Sequence, residues 1–200
     1  MNPLTHYLLE ISAIKLSPEA PFTWASGRQS PIYCDNRVTL SYPKVRDEIC
    51  KQFVEKIKAQ YPQTEMIAGV ATGGIAHGVL VAQALGLPFV YIRDKPKAHG
   101  RQNLVEGDLK PNQKVVVIED LISTGGSSLK AVEGLRESGA DVLGLLAIFT
   151  YGFPQAAEAF EAAKCNMDTL TCFAELIEAV KVQEKFPKKD IEYMEAWIKS

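Results

Sequence analysis

Residues Val115 to Ser128 read VVVIEDLISTGGSS: four β-branched residues, two adjacent acids, two apolar residues, then a loop of hydroxyls and glycines. In open α/β sheets ligands bind beyond the carboxyl ends of strands, which is where Glu119 and Asp120 are expected to fall. The glycines of Ser123-Thr124-Gly125-Gly126-Ser127 let backbone N–H groups converge, and a helix starting there adds partial positive charge, so the loop suits a phosphate. Carboxylates would repel that phosphate. They suit groups that need acceptors, either ribose hydroxyls or a Mg²⁺ ion. A phosphorylated ribose satisfies both halves of the stretch, whereas an ordinary strand-to-helix turn with capping hydroxyls leaves the paired acids without a reason.

A second glycine-rich turn, Gly69-Val-Ala-Thr-Gly-Gly74, also follows an apolar run. It lacks the GxGxxG spacing of a dinucleotide fingerprint, and nowhere does the chain carry a GxxxxGK[ST] phosphate loop. The amides of Thr72, Gly73 and Gly74 are instead placed to hold another anion, such as a diphosphate.

The elements that position these turns are legible from periodicity. Met66–Ala71, Pro88–Ile92, Val115–Ile118 and Val142–Phe149 are short, near-continuous apolar runs, expected as strands covered on both faces and therefore parallel. Helices are expected over Gly74–Leu85 and up to about Glu137, where Leu129, Val132 and Leu135 share a face. The spacing of Val45, Ile49, Phe53 and Ile57 predicts an amphipathic helix over Pro43–Ile57. Pro187 is placed as a helix starter, with Ile191, Met194 and Ile198 forming an apolar stripe after it, read as core or a subunit contact. The stretch Phe22–Arg37, FTWASGRQSPIYCDNR, is aromatic, basic and turn-rich, more a small flap than a core strand. The fold class is α/β: a parallel sheet flanked by helices, with a small N-terminal extra piece.

At 200 residues the chain is expected to be one domain. Its net charge of −2 gives no global basic field for nucleic acid or an anionic membrane. No apolar run reaches the roughly 20 residues of a membrane span, and the N-terminus does not read as a signal peptide. Cys34, Cys50, Cys165 and Cys172 show no CxxC or Cys/His metal spacing and are expected as free thiols, which fits a cytoplasmic protein. No Ser/His/Asp or Cys/His order suggests a covalent nucleophile.

The stretch VVVIEDLISTGGSS resembles the phosphoribosyl-diphosphate (PRPP) signature of type I phosphoribosyltransferases, although Glu119 stands where Asp is more usual. That resemblance implies PRPP contacts from Glu119, Asp120, Leu121, Ile122, Ser123, Thr124, Gly125, Gly126 and Ser127, the acids meeting ribose hydroxyls and the loop the 5′-phosphate. Tyr91-Ile-Arg-Asp-Lys-Pro-Lys-Ala-His-Gly100 is similar to the mobile catalytic loop of orotate phosphoribosyltransferases. On that likeness Arg93, Lys97 and His99 contact the diphosphate, with Lys97 and His99 reaching into a neighbouring subunit's site; His99 serves as hydrogen-bond or proton donor. Cations that arrive with loop closure would stabilise the charge on a leaving diphosphate, so Lys97, His99 and Asp120 are the expected catalytic residues. FTWASGRQSPIYCDNR resembles the hood that covers the pyrimidine in the same family. It implies that Tyr33, Arg28 and Ser123 bind orotate; whether Arg28 meets the orotate carboxylate or the sugar phosphate stays open. Ala25, Thr72-Gly73, Asp94 and Tyr151-Gly152 depart from residues some members carry. The resemblance spans nearly the whole chain as one domain over residues 1–200, with the hood mainly in 1–40, the core about 41–180 and a C-terminal helix about 187–199. It implies Mg²⁺ as cofactor, carried with PRPP near Glu119 and Asp120, and a homodimer with shared sites. A purine phosphoribosyltransferase would share the PRPP signature but lack the hood and the KxHG loop, and a PRPP-sensing regulator would need a DNA-binding module.

Overall fold

The computed structural model describes residues 2–24, 27–94, 104–184 and 186–199. The N-terminal part comprises α1 (Pro3–Glu10), four short strands β1 (Ile14–Leu16), β2 (Phe22–Thr23), β3 (Gln29–Ser30) and β4 (Ile32–Cys34), and a 3₁₀ helix (Asn36–Ser41). The remainder runs α2 (Pro43–Gln60), β5 (Met66–Val70), α3 (Gly73–Leu85), β6 (Phe89–Ile92), β7 (Val105–Glu106), β8 (Lys114–Ile122), α4 (Gly126–Glu137), β9 (Asp141–Thr150), α5 (Pro154–Ala162), β10 (Met167–Cys172), α6 (Phe173–Val182) and α7 (Lys188–Trp197). Among the described residues one sheet has six strands in the order β10-β9-β8-β5-β6-β7, all pairs parallel except β6 with β7. The expected α/β class is what the chain adopts.

β8 lies inside the sheet, and its β-branched run explains why. Val115, Val116, Val117 and Ile118 are fully buried, yet successive side chains point to opposite faces. Val116 and Ile118 enter the apolar layer under α1, α2, α3, α6 and α7; Val115 and Val117 enter the layer under α4 and α5. Burying such a side chain contributes roughly 1.5–3 kcal/mol, so a strand apolar on both faces is stable only at this place in the sheet. The amphipathic helix expected from Pro43 forms as α2, with Pro43 in its first turn and Val45, Ile49, Phe53 and Ile57 buried.

Three features differ from expectation. β8 does not stop at Ile118 but runs to Ile122, because β9 continues to pair with it as far as Ile122–Thr150. The pairing with β5 stops earlier, at Gly69–Ile118, so among the described residues the strand beyond Ile118 keeps a neighbouring strand on one side only. Much of the segment expected as hood is core: Leu4 and Leu8 of α1 are fully buried in the larger apolar layer. Finally, β10, α5 and α6 were not expected from periodicity, and they close the far edge of the sheet. Among the described residues no helix is long and apolar enough to cross a membrane.

Candidate active site

Where β5 ends and β8 continues, the sheet opens into a cleft of about 840 Å³. Its floor is the acid pair. As consecutive strand residues, Glu119 and Asp120 face opposite sides. Glu119 is 5 % exposed; its Oε2 accepts from the Ser128 hydroxyl at 3.0 Å and its Oε1 from the Asp120 N–H at 3.0 Å. Burial, reinforced by the neighbouring Asp120, holds its carboxyl well above the usual carboxylate range. Asp120 is only half-buried, and its carboxylate lies against the first residue of α3. A Cβ on Gly73 would stand 2.2 Å from Asp120 Cγ, and one on Gly74 would stand 2.3 Å from the Ile118 carbonyl oxygen. The two glycines let the start of α3 fill the place beside β8 that β5 has vacated. The Ala71–Thr72 peptide ahead of them is cis.

Two helices therefore begin at this cleft. α3 starts at Gly73 and α4 at Gly126, and neither has a side-chain cap: Thr72 makes no capping hydrogen bond, and the N-cap of α4 is Gly125, at φ 83°. The first N–H groups of a helix have no partner within it, and its N-terminus carries about half a positive charge. Two such termini and the partly buried Asp120 carboxylate line one cleft, an arrangement able to hold two anions joined by a hydroxyl-bearing unit.

Of the residues singled out in the sequence, 123–127, Leu121, Thr72, Gly73, Arg93, Glu119 and Asp120 line the cleft. Arg93 Nη1 pairs with Glu106 Oε1 at 3.4 Å across β6 and β7. Ile122 is fully buried in the apolar layer under α4 and α5, and its carbonyl accepts from the Tyr151 N–H. Gly74 sits behind the cleft, against β8. Tyr33 and Arg28 are not among the lining residues. Tyr33 is 40 % exposed beside Phe22, and the Arg28 guanidinium stacks over Phe153 and Trp197, 4.4 and 4.8 Å from the ring centroids. Lys97 and His99 lie outside the described residues. Among the described residues no cluster of three or more His, Cys, Asp or Glu side chains could hold a metal unaided.

The sequence reading passed over several residues at this site. Asp35 and Arg37 line the cleft from the 3₁₀ segment, joined by a bidentate pair at 2.7 and 2.9 Å that holds the Asp35 carboxyl below its ordinary range. Asn36, between them, points inward to Asp120. The DNR triplet was the only signal for these residues, and no period distinguishes it from a solvated turn.

Residues 43–184 match the phosphoribosyl transferase domain family, the class that the sheet and the two-anion cleft define. Orotate phosphoribosyltransferase of Porphyromonas gingivalis is 55% identical over 193 residues, covering 96% of this chain and 92% of that protein. That of Lactococcus lactis subsp. lactis is 55% identical over 187 residues, covering 94% and 90%. The crystal structure of orotate phosphoribosyltransferase from Aeropyrum pernix superposes with a TM-score of 0.80 at 27% identity, over 90% of this chain and 98% of that one. The chain belongs to the phosphoribosyl transferase family and, within it, to the orotate phosphoribosyltransferases.

Proposed function

We propose that this cleft transfers the 5-phosphoribosyl group of PRPP to orotate, giving orotidine 5′-monophosphate and diphosphate in de novo pyrimidine synthesis. The observation that carries the reading is the cleft itself, lined by the partly exposed Asp120 and by two uncapped helix N-termini. The start of α4 takes the 5′-phosphate, the turn at Thr72 and Gly73 takes the diphosphate, and Asp120 accepts from ribose hydroxyls between them. In the reaction the C1′–O bond to diphosphate breaks with its electron pair on the departing oxygen, and a C1′–N1 bond to orotate forms as the N1 proton passes to the departing diphosphate. Positive charge grows on the ribose ring as this happens, and the Asp120 carboxylate is fixed where it stabilises that charge. Glu119, buried and bonded to Ser128, acts differently: it braces the strand tip from the opposite face.

Asp120 is also the carboxylate that fits Mg²⁺. That ion usually binds through one or two carboxylates together with substrate phosphates, which is what a cleft without a metal cluster among its described residues would use. Bound there with PRPP, Mg²⁺ would neutralise diphosphate charge. Arg93 would meet the diphosphate from its side of the cleft, and the likeness of residues 91–107 to the family's loop supports the same role for Lys97 and His99. The family resemblance also supports a homodimer with shared sites and a cytoplasmic location.

The test is loss of orotate absorbance with purified protein, PRPP and Mg²⁺, beside parallel reactions with uracil, adenine and hypoxanthine. The expected result is consumption of orotate alone, and only with PRPP and Mg²⁺ both present. Consumption of a purine instead would overturn the choice of base.

A further inference from the structure

Three polar residues that the reaction does not touch are buried together beneath the cleft. Asn36 and Thr39 of the 3₁₀ helix are 0% exposed and His77 of α3 is 1% exposed. Their hydrogen bonds form a chain that ends on β8. Asn36 Nδ2 donates to the main-chain carbonyl of Asp120 at 2.6 Å. Thr39 Oγ1 donates to the Asn36 carbonyl at 2.5 Å. A hydroxyl has one proton to give, so at 3.2 Å the His77 Nε2 is the donor to Thr39, which fixes the imidazole tautomer. The Asn36 Oδ1 in turn accepts from the Cys34 thiol at 3.4 Å.

The place where this chain meets β8 matters. β5 pairs with β8 only as far as Ile118, whereas β9 follows it to Ile122. Past Ile118 no strand among the described residues remains on the β5 side to bond the main chain. The amide of Asn36 supplies that bond at Asp120, so a side chain 84 residues away stands in for a strand. The peptide after Asp120 is thereby held by Asn36, while the Asp120 carboxylate is bounded by Gly73. The same α3 that begins at Gly73 carries His77 one turn on, so the 3₁₀ helix that presents Asn36 is tied through Thr39 to the element that bounds the carboxylate.

We propose that Asn36, held by Thr39 and His77, is a positioning residue that sets the direction of the Asp120 carboxylate for phosphoribosyl transfer. The inference rests on the function proposed above. Asn36 touches no substrate; it acts through Asp120. A misplacement of about 1 Å at a reacting centre costs on the order of 100-fold in rate, so loss of this bond should appear in turnover more than in substrate binding.

The test is a double-mutant cycle on purified full-length protein, with kcat and KM measured for PRPP and orotate. Asn36→Ala should lower kcat about 10- to 100-fold while each KM changes less than about threefold. Combined with Asp120→Asn, it should remove little beyond what Asp120→Asn removes alone. Thr39→Val, which keeps the shape and loses the hydroxyl, should lower kcat in the same way, and Thr39→Ser should restore most of it. If the losses from Asn36→Ala and Asp120→Asn multiply, or Thr39→Ser fails as badly as Thr39→Val, the inference is overturned. Should Asn36→Ala not fold, the Thr39 pair combined with Asp120→Asn decides by the same criterion. Should the native protein consume no orotate, the functional reading fails, and the cycle is read instead from kcat with the base it does consume or, with none, from kcat for hydrolysis of PRPP. Non-additive losses there support the role of Asn36, and additive ones overturn it.

Discussion

A single methyl group at Gly73 separates the two things this residue does. Alanine is the better helix former, by up to about 1 kcal/mol in a helix interior, so Gly73→Ala gives the start of α3 no intrinsic reason to unfold. Its Cβ, however, would stand 2.2 Å from both Asp120 Cγ and Oδ2, and a short side chain can only swing away. The variant is expected to keep its thermal midpoint within a few degrees and lose about 100-fold in kcat. Unaltered turnover by steady-state assay would show that Asp120 does not contribute where it stands. At this scale the sequence was informative about type and silent about orientation. Two acids before a Ser-Thr-Gly-Gly loop were legible as acceptors beside a phosphate site. That one of them is buried and bonded to Ser128, its carboxyl pushed upward by burial, while its neighbour is more open to the cleft, depends on which face of β8 each occupies and on what packs there. Asn36 was illegible for the same reason: its partner is 84 residues away.

The elements place two helix N-termini at one opening, and each can be perturbed by itself. At α4 the N-cap Gly125 has φ 83°, a conformation that costs an L-residue about 1 kcal/mol, and an added Cβ would lie 2.9 Å from Phe160. Gly125→Ala should lower unfolding free energy by about 1–2 kcal/mol in denaturant titration and weaken binding of ribose 5-phosphate more than that of diphosphate. Equal weakening of both would mean that the two termini do not hold separate anions. At α3, burial lowers the His77 pKa from 6.5 to about 4. In this window the unfolded chain binds a proton that the native protein does not. Stability is therefore fully present above pH 6.5 and falls as pH drops toward 4, by about 3 kcal/mol for the whole shift. His77→Gln should flatten that fall relative to the native protein in pH-dependent denaturation; an unchanged slope would place the titration elsewhere. Apolar strands and α2 were legible because burial on both faces, or on one helical stripe, writes a period into the sequence. β10 was not: its Met167-Asp-Thr-Leu-Thr-Cys172 lies at the sheet edge, where half its positions are polar. The overrun of β8 past Ile118 was not legible either, since it is set by the length of β9 rather than by its own residues.

Over the whole molecule, the two apolar layers on either side of β8 leave the strand tips as the place where polar chemistry is tolerated. The hood is anchored to the other end of the chain: Trp197 Nε1 donates to the Gln29 carbonyl at 2.9 Å, and Arg28 lies over Phe153 and Trp197. A cation over two aromatic faces contributes roughly 0.5–2 kcal/mol, enough to seat a short hairpin without locking it. The aromatic, basic character of FTWASGRQSPIYCDNR was legible, but its docking on α7 was not, because that contact joins the two ends of the sequence. With a net charge of −2, anion binding must come from local geometry rather than from a general field. The most direct measurement of that central claim is calorimetric titration of the native protein with diphosphate, with ribose 5-phosphate, and with each in the presence of the other, all with Mg²⁺. Separate anion sites at α3 and α4 predict that the two ligands bind together and that PRPP displaces both. Mutual displacement of diphosphate and ribose 5-phosphate would contradict it.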